Sequence, residues 1–311
     1  MLWGFLPFAL TNTYSSTLRE TGETFIPMLG GIAAVFVNLV LNYILIFGKF
    51  GAPEMGVEGA AIATFISQAV GGVLPVFYFI DRSNSSRLHL CKTSFYSKVL
   101  RDACINGSSE LMTNLSMSLV NILYNYQLLR LAGENGVAAY GVIMYACFLF
   151  IAVYVGYAFG SAPIVSFHYG ARNHAEVHNL YRKSLRLIAV VAVTLTLASM
   201  FIIPCVARVF VGYDAELLAL TSRAFRLYAL SFLIMGFNVY ASSFFTALNN
   251  GLISAVISFL RTLVFQLAVV FILPIFLGIT GIWLSVAVAE LLTLFVTATF
   301  LIKKRSEYHY A

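Results

Sequence analysis

The stretch from Leu187 to Ala207, LIAVVAVTLTLASMFIIPCVA, contains no charged residue and decides the class of fold. A helix needs about 20 mostly apolar residues to cross the hydrocarbon core of a membrane. Similar runs occupy roughly 24–48, 57–80, 104–129, 138–165, 227–248, 252–276 and 281–302, and residues 1–18 form a shorter one. The chain is 60% hydrophobic and 10% charged, whereas a soluble domain carries about 25% charged residues. We therefore predict an all-α integral membrane protein, a polytopic bundle with about nine transmembrane helices.

The basic residues predict the orientation of this bundle. If the turn at Arg19 is cytoplasmic, most of the 19 Lys and Arg residues lie in loops on the same side, as the positive-inside rule requires. The C-terminus is then cytoplasmic as well. The net charge of +6 indicates contact with anionic membrane lipids and not with nucleic acid, because the basic residues follow the loops and form no soluble patch.

A polar segment divides the chain into two parts. Residues 81–102 are rich in Ser and basic residues, and we predict a cytoplasmic linker there. It separates the three apolar runs of residues 1–80, part of a first lobe, from a second lobe over residues 103–304. Residues 305–311 are predicted to form a cytoplasmic tail.

Residues 5–68 and 232–290 follow the same plan of three apolar helices. The matched segments are Ser15-Ser16 with Ser242-Ser243, and Gly56-Val57-Glu58-Gly59 with Gly278-Ile279-Thr280-Gly281. Residues 101–230 precede the second copy, and nothing comparable precedes the first. Because repeats in transporters are usually complete, we expect a full-length form to carry about three more helices before residue 1.

Polar side chains inside a spanning helix are costly and usually face a cavity or a partner. The strongest case begins at Glu110, because Asn114, Ser118, Asn121 and Asn125 follow it at helical spacing on one face. We interpret this pattern as a buried polar stripe that lines a pathway. The Glu110 carboxylate would exchange a proton there, or bind Na⁺ or a cationic substrate. The structural alternative is that Glu110 lies near the cytoplasmic interface and only caps a helix or forms an ion pair.

Two further groups of polar residues lie within apolar helices. Asn38 and Asn42 are one turn apart, and Thr64 lies in the next helix. These three residues could coordinate an ion or order water, or they could form hydrogen bonds between helices. Asn238 and Ser242 share one face of a later helix and are predicted to line the same cavity as the stripe.

Arg261 and Glu290 are charged residues within two neighbouring apolar helices. Counted from the cytoplasmic ends of their helices, they lie at depths of about 14 and 18 Å at 1.5 Å per residue. We therefore predict an intramembrane ion pair. A structural role is favoured, because pairing is what makes two such charges tolerable.

Motifs of several other function classes are missing from the sequence. It contains no G-x-x-x-x-G-K-[ST], H-E-x-x-H or G-x-S-x-G, so ATP-driven transport within this chain and common membrane hydrolases are not predicted. His174 and His178 are four residues apart, but no third ligand accompanies them. We predict no enzyme activity, no metal site and no cofactor other than a coupling ion.

Several short segments are informative through their order along the chain. They are Leu18-Arg19-Glu20-Thr21-Gly22, Asn38 with Asn42 and Ile46-Phe47-Gly48, Gly59-Ala60-Ala61-Ile62-Ala63-Thr64, Pro163 with Phe167-His168-Tyr169-Gly170-Ala171, Gly281-Ile282-Trp283, and Ala289-Glu290. In this order they resemble the multidrug and toxic compound extrusion (MATE) family. The segments 106–110 and 133–137 look closest to its bacterial efflux branch.

The resemblance implies twelve helices in two six-helix lobes around a central cavity. It also implies antiport by alternating access, in which Na⁺ or H⁺ enters the cell as a cationic, often aromatic, drug leaves. The complete protein would be a monomer in the inner (plasma) membrane of a bacterium, and Glu110, Asn114 and Asn121 would couple transport to the ion. The residues implied to line the substrate cavity are Asn38, Asn42, Thr64, Ser118, Asn125, Asn238 and Ser242.

The sequence also departs from the family pattern and leaves other functions open. Asn42 stands where some members carry Asp, and residues 228–248 contain no Asp where some carry an acid on the tenth helix. A related flippase for lipid-linked oligosaccharides would share the architecture, but it should have more basic residues in its cavity. An inactive, truncated remnant is the alternative from a different class.

Overall fold

The computed structural model describes residues 5–81 and 94–310, apart from the side chains of Phe5, Ser109 and Glu110. Both stretches consist of helices and short connections, and neither contains a β-strand. The helices are α1 Phe5–Glu20, α2 Phe25–Phe47, α3 Gly56–Ile80, α4 Ser97–Asn106, α5 Ser108–Gly170, α6 His174–Val211, α7 Ala215–Ala229, α8 Phe232–Ala247, α9 Gly251–Phe259, α10 Gln266–Leu277 and α11 Ile279–Tyr308. A short π-helix, Leu260–Phe265, joins α9 to α10. The chain divides into two compact units, unit 1 over Met1–Phe95 and unit 2 over Tyr96–Ala311.

The lengths of the helices agree with membrane crossing. Among the described residues, six helices are long and apolar enough to span a bilayer, and the pair α7 and α8, bent by 48°, adds a seventh span. α5 has 63 residues and is about 95 Å long at 1.5 Å per residue, whereas a hydrocarbon core is about 30 Å thick. α5 is therefore long enough for two crossings. Its backbone leaves helical geometry at Gly133, where φ is 62° and ψ is −154°, and this break divides α5 into two helical parts. The predicted fold class, an all-α polytopic membrane protein, is confirmed.

In unit 1, small residues allow α2 and α3 to pack closely. A Cβ atom added to Gly30 would lie 3.0 Å from the backbone oxygen of Gly71. α1 is joined to α3 by Thr11, whose hydroxyl donates to the backbone oxygen of Gln68 at 2.9 Å. Gly30 is the one buried residue of α2, and apolar side chains such as Leu39, 66% exposed, suit contact with lipid tails.

Unit 2 contains two apolar clusters. The larger one includes Tyr124, Ile143 and Phe225, which are at most 1% exposed. The second includes Phe244 and Ile257, which are equally buried. Lipid tails are as apolar as these side chains, so close packing stabilises the clusters more than removal from water does.

Three helices of unit 2 begin at residues whose side chains cap them. Asn173 accepts a hydrogen bond from a backbone N–H in the first turn of α6. Asp214 does the same for α7, and Asn250 for α9. Each cap satisfies a backbone donor that has no partner within the helix, and so fixes where the helix starts.

The glycine turns of the two repeat copies have the same geometry. Gly56 and Gly278 have φ values of 52° and 56°, a region that favours glycine. A Cβ atom added to Gly59 would lie 2.7 Å from a backbone oxygen of α2, and one added to Gly281 would lie 2.6 Å from a backbone oxygen of α10. In each copy, one glycine therefore allows the chain to turn and the other allows two helices to touch.

The described part of the predicted linker begins an exposed helix, residues 82–93 lie outside the described residues, and the predicted tail is packed. α4 begins at Ser97, within the predicted linker. At the other end of the chain, α11 continues to Tyr308 and Tyr310 is fully buried. The Tyr310 hydroxyl donates to the backbone oxygen of Leu301 at 2.8 Å, and its own backbone oxygen accepts from Nδ1 of His178 at 2.9 Å. Residues 305–310 are thus part of unit 2.

Candidate functional site

The polar stripe of α5 lies on an exposed face of the helix. Asn114, Ser118 and Asn121 are exposed, and Asn125 is half-buried. This corrects the prediction of a buried stripe. The physical reason is that α5 packs into unit 2 through another face, which carries the fully buried Tyr124.

Glu110 lies in the first turn of α5. Its side chain is outside the described residues, so its role stays a prediction. Helical spacing places its Cα on the same face of α5 as Asn114 and Ser118.

Several side chains of the stripe form hydrogen bonds within α5. Nδ2 of Asn125 donates to Oδ1 of Asn121 at 3.0 Å and to its backbone oxygen at 2.9 Å. The Ser118 hydroxyl donates to the backbone oxygen of Asn114 at 3.2 Å. Polar groups left unsatisfied in hydrocarbon cost several kcal/mol each. An exposed amide face on a spanning helix is therefore costly unless water or a polar partner covers it.

A concavity of about 490 Å³ opens beside the end of this stripe. Its lining residues are Asn125, Tyr126, Leu129, Glu134, Val137 and Ala138. The surface of the concavity is almost entirely apolar, although one amide and one carboxylate belong to the residues around it. Of these residues, only Asn125 was predicted from the sequence to line a cavity. The others lie on both sides of the Gly133 break and share no periodic pattern.

In unit 1, the predicted polar residues connect α2 to α3. Nδ2 of Asn42 donates to Oδ1 of Asn38 at 2.9 Å, and Nδ2 of Asn38 donates to the hydroxyl of Ser67 at 3.2 Å. Ser67 is buried and was not selected from the sequence. Thr64 is exposed, and its hydroxyl donates within α3 to the backbone oxygen of Ala60. Oδ1 of Asn42 is buried and has no hydrogen-bond partner among the described residues; ion binding there stays a prediction.

The predicted ion pair is present in unit 2. Nε of Arg261 lies 2.9 Å from Oε1 of Glu290, and the two side chains are 16% and 6% exposed. Nδ2 of Asn238 donates to Oε2 of Glu290 at 2.7 Å and to its backbone oxygen at 2.9 Å. Both carboxylate oxygens therefore have a donor, which a buried charge requires.

This arrangement corrects the assignment of Asn238 to a cavity wall. Asn238 is fully buried, because its face of α8 meets α11 at Glu290. Its amide stabilises the carboxylate instead of facing a cavity.

Arg261 lies in the π-helix Leu260–Phe265. π-helical turns are rare, and they often occur at functional sites because the widened turn changes the direction of a side chain. Here the widened turn is packed against α11 and α5. Nothing in the residue pattern of this apolar segment indicates a π-helix, and the sequence did not predict it.

Ser242 was also assigned to the cavity wall, and the structure places it between α8 and α9. Its hydroxyl lies 2.9 Å from that of Ser254 and 2.9 Å from that of Ser258. The hydroxyl of Thr246 donates to that of Ser254 at 2.8 Å. We call these four residues, Ser242, Thr246, Ser254 and Ser258, the hydroxyl seam. Ser254 and Ser258 were missed, although they are four residues apart and so share one face of a helix.

The two histidines at the start of α6 pack against the end of α11. Nδ1 of His178 donates to the backbone oxygen of Tyr310, and the ring of His174 lies 4.9 Å from that of His309. Within the residues that the structure describes, no group of three His, Cys, Asp or Glu side chains could hold a metal ion.

Comparison with known proteins connects this helical arrangement to one family. The profile of the MatE family matches residues 111–272, just over half of the chain. The chain is 26% identical over 290 residues to the probable multidrug resistance protein NorM of Thermotoga maritima. The matched segment covers 92% of this chain and 61% of that protein. It is 23% identical over 277 residues to the multidrug export protein MepA of Staphylococcus saprophyticus, with coverages of 88% and 58%. The chain spans about three fifths of the length of these curated relatives.

Solved structures share the fold. A crystal structure of MATE in complex with MaL6 matches with a TM-score of 0.88 at 22% identity, covering 97% of this chain and 67% of that one. A multidrug resistance MATE family transporter of the MOP superfamily, in an outward-facing conformation, also gives 0.88, at 23% identity and with the same coverage. The structural likeness establishes the fold, and the profile match over half of the sequence establishes the family. This chain belongs to the MatE, or multidrug and toxic compound extrusion, family.

Proposed function

We propose that this protein exports cationic, often aromatic, compounds across a bacterial plasma membrane in exchange for Na⁺ or H⁺. The observation that carries the proposal is the exposed polar face of α5, a membrane-spanning helix, with a concavity at its end. The names of the relatives NorM and MepA, which refer to multidrug resistance and export, support it.

The composition of the concavity supports a substrate with an apolar, aromatic part. Its volume of about 490 Å³ lies within the range of about 300–1,000 Å³ that is common for small-molecule sites. Tyr126, 59% exposed, supplies an aromatic face, and Glu134 is a neighbouring acid among the lining residues. Attraction between a cation and an aromatic face contributes about 0.5–2 kcal/mol.

Coupling to an ion is assigned to Glu110 with Asn114 and Asn121. A carboxylate surrounded by amide oxygens suits Na⁺, a hard cation that prefers oxygen ligands, and the carboxylate alone suits H⁺. Export follows if the ion and the cationic substrate compete for this carboxylate while the site opens to one side of the membrane at a time.

The flippase alternative is less well supported by the charges. A site for a lipid-linked pyrophosphate needs accessible basic side chains, as anions are commonly bound by Arg and Lys. The α5 stripe contains none. Arg261 is a base at membrane depth, but Glu290 neutralises it and its side chain is only 16% exposed.

Ethidium efflux from cells that express this chain tests the proposal. Loaded cells should lose fluorescence faster than cells without the chain, and Glu110→Gln should abolish the difference. Glu216→Gln, at an exposed acid in the first turn of α7, is the matched control and should export normally. Repeating the assay with choline in place of Na⁺, and with the pH gradient collapsed, identifies the coupling ion. Unchanged efflux by Glu110→Gln would remove its coupling role, and transport of a labelled lipid-linked sugar without ethidium efflux would favour the flippase.

A further inference from the structure

The helix α4, Ser97–Asn106, lies at the surface of unit 2 and buries none of its 10 residues. It nevertheless carries large apolar side chains. Val99 is 66% exposed and Leu100 is 51% exposed. Apolar surface that stays in water forfeits the free energy of burial, so a group of exposed apolar side chains usually marks contact with a partner.

The two sides of α4 differ in chemistry. Five apolar or aromatic residues fall within an arc of about 140° at 100° per residue. They are Tyr96, which precedes the first turn, and Val99, Leu100, Ala103 and Cys104. We call these five residues the α4 apolar face. Lys98 and Arg101 lie on the other side of the helix, so α4 is amphipathic and its polar side is basic.

One end of α4 lies beside two helices that cross the membrane. Gly107 alone separates α4 from α5. A Cβ atom added to Gly251, where the span Gly251–Leu277 begins, would lie 2.4 Å from Cα of Asn106. Ile105, an apolar residue outside the α4 apolar face, takes part in this contact through its backbone oxygen, 2.9 Å from the same Cβ position. Because spanning helices begin near the membrane surface, α4 is held at that surface.

The same end of unit 2 is basic. Nδ2 of Asn250, the residue that caps α9, donates to the hydroxyl of Tyr308 at 2.7 Å, so the end of α11 lies beside the start of α9. Lys303 and Arg305, near the end of α11, are exposed. Basic residues next to a spanning helix attract anionic lipid headgroups. The charges around α4 therefore suit a membrane surface that contains anionic lipids.

Arg101 has a neighbouring acid on α4. Nη2 of Arg101 lies 3.4 Å from Oδ1 of Asp102, and both side chains are exposed. Exposed ion pairs of this kind contribute little, so the guanidinium can also bind a lipid phosphate, to which Arg offers several N–H donors.

Lipid matches the α4 apolar face better than another helix does. Contacts between helices in membranes are enriched in small residues that let the two backbones approach. Tyr96, Val99 and Leu100 are large. Tyr is also enriched at the boundary between membrane and water, where its ring meets acyl chains and its hydroxyl meets headgroups.

We propose that α4 lies in the membrane surface and inserts its apolar face among anionic phospholipids. Helices of this kind reach about 5–10 Å into the boundary between headgroups and acyl chains. Lys98 and Arg101 then lie at the level of the phosphates. Since Gly107 alone separates the two helices, the insertion of α4 fixes the level at which α5 begins, within one turn of Glu110. The inference concerns lipid binding and does not depend on export.

Fluorescence quenching of the whole chain in lipid nanodiscs tests the inference. Val99→Cys and Arg101→Cys, each in a cysteine-free background, receive the same fluorophore. They form a matched pair, because residues two apart on a helix point to nearly opposite sides. The nanodiscs contain phosphatidylcholine and phosphatidylglycerol, with a nitroxide near the top of some acyl chains. The nitroxide should quench the label at position 99 several-fold more than that at position 101, and iodide in the water should do the reverse.

A second measurement tests the role of anionic lipid. Replacing phosphatidylglycerol by phosphatidylcholine should lower the nitroxide quenching at position 99, because Lys98 and Arg101 then lack a counter-charge. Unchanged quenching would remove anionic lipid from the inference.

Two other results would overturn the inference. Equal iodide quenching at the two positions would place the α4 apolar face in water. Protection of position 99 from both quenchers would show that protein covers it. Val99 and Arg101 are both exposed, so the labelled variants should fold, and retention of helix by circular dichroism checks this. Since the measurement involves no drug and no transport, a failure of ethidium export leaves its outcome unaffected.

Discussion

The Arg261–Glu290 pair leads to a prediction of non-additive stability changes. Replacing Arg261 by Leu would leave the Glu290 carboxylate in an interior where it is 6% exposed, with Asn238 as its remaining side-chain donor. Removing one partner of a buried ion pair costs about 3–5 kcal/mol, whereas replacing both partners by apolar residues is often neutral or stabilising. We therefore expect Arg261→Leu to lower the free energy of unfolding by about 3 kcal/mol or more at neutral pH. The double variant, with Glu290→Leu added, should recover most of that loss.

Unfolding of the purified protein in nanodiscs, followed by temperature and by denaturant at neutral pH, measures these changes. The four proteins of the cycle are the unchanged chain, the two single variants and the double variant, and their comparison isolates the interaction between the two side chains. The Lys304–Glu307 pair on the surface of α11 is the control, because exposed ion pairs contribute little. Its replacement should leave the unfolding midpoint nearly unchanged.

Additive losses would refute this reasoning. If the double variant were destabilised by the sum of the two single effects, the side chains would contribute independently. The 2.9 Å contact would then carry no coupling energy, and the argument from buried charge would fail.

Three other outcomes are expected. Gly281→Ala should lower the free energy of unfolding by about 1–3 kcal/mol, because its Cβ atom would lie 2.6 Å from a backbone oxygen. The control is Gly141→Ala, whose Cβ atom would have nothing within 4 Å and which should leave that free energy unchanged. Equal unfolding midpoints of the two variants would contradict the close approach at Gly281. Tyr310→Ala should lower the free energy of unfolding by about 3–5 kcal/mol, as expected for a fully buried aromatic side chain. Tyr310→Phe should lower it by about 1 kcal/mol, because only the hydrogen bond is lost. An unfolding midpoint unchanged by Tyr310→Ala would show that this residue is not packed. In a cysteine-free background, Asn121→Cys should react with a membrane-impermeant maleimide. Ser116→Cys, at a position 3% exposed, is the control and should not react. Protection of both cysteines would show that the polar face of α5 is not in contact with water.

The ion pair and the glycine turns could be predicted from sequence for a shared physical reason. Two opposite charges at similar depths in neighbouring apolar helices have few alternatives to pairing, and Arg261 and Glu290 are found paired. Glycines that recur at fixed spacing before an apolar helix indicate positions where the backbone turns or where two helices touch. Gly59 and Gly281 accordingly lie where a Cβ atom would clash.

The directions of the polar faces could not be predicted, because helical spacing identifies a shared face but not what that face meets. Asn114 and Ser118 on α5 are exposed, while Asn238 and Ser242, with the same spacing on α8, meet α11 and α9. The burial of Tyr310 was missed for a related reason. A short aromatic segment after a basic run reads as a solvated tail unless the surface that receives it is known.

The two copies of the repeat share a cross-helix contact. The match of the Ser-Ser pairs aligns Thr11 with Asn238, and the match of the glycine turns aligns Gln68 with Glu290. Thr11 donates to the backbone oxygen of Gln68, and Asn238 to that of Glu290, both at 2.9 Å. The two copies thus make the same bond to the main chain, although the acceptor residue carries a neutral amide in one copy and a carboxylate in the other. An unpaired carboxylate is poorly tolerated at that depth, so Arg261 and Glu290 should be inherited and lost together among relatives.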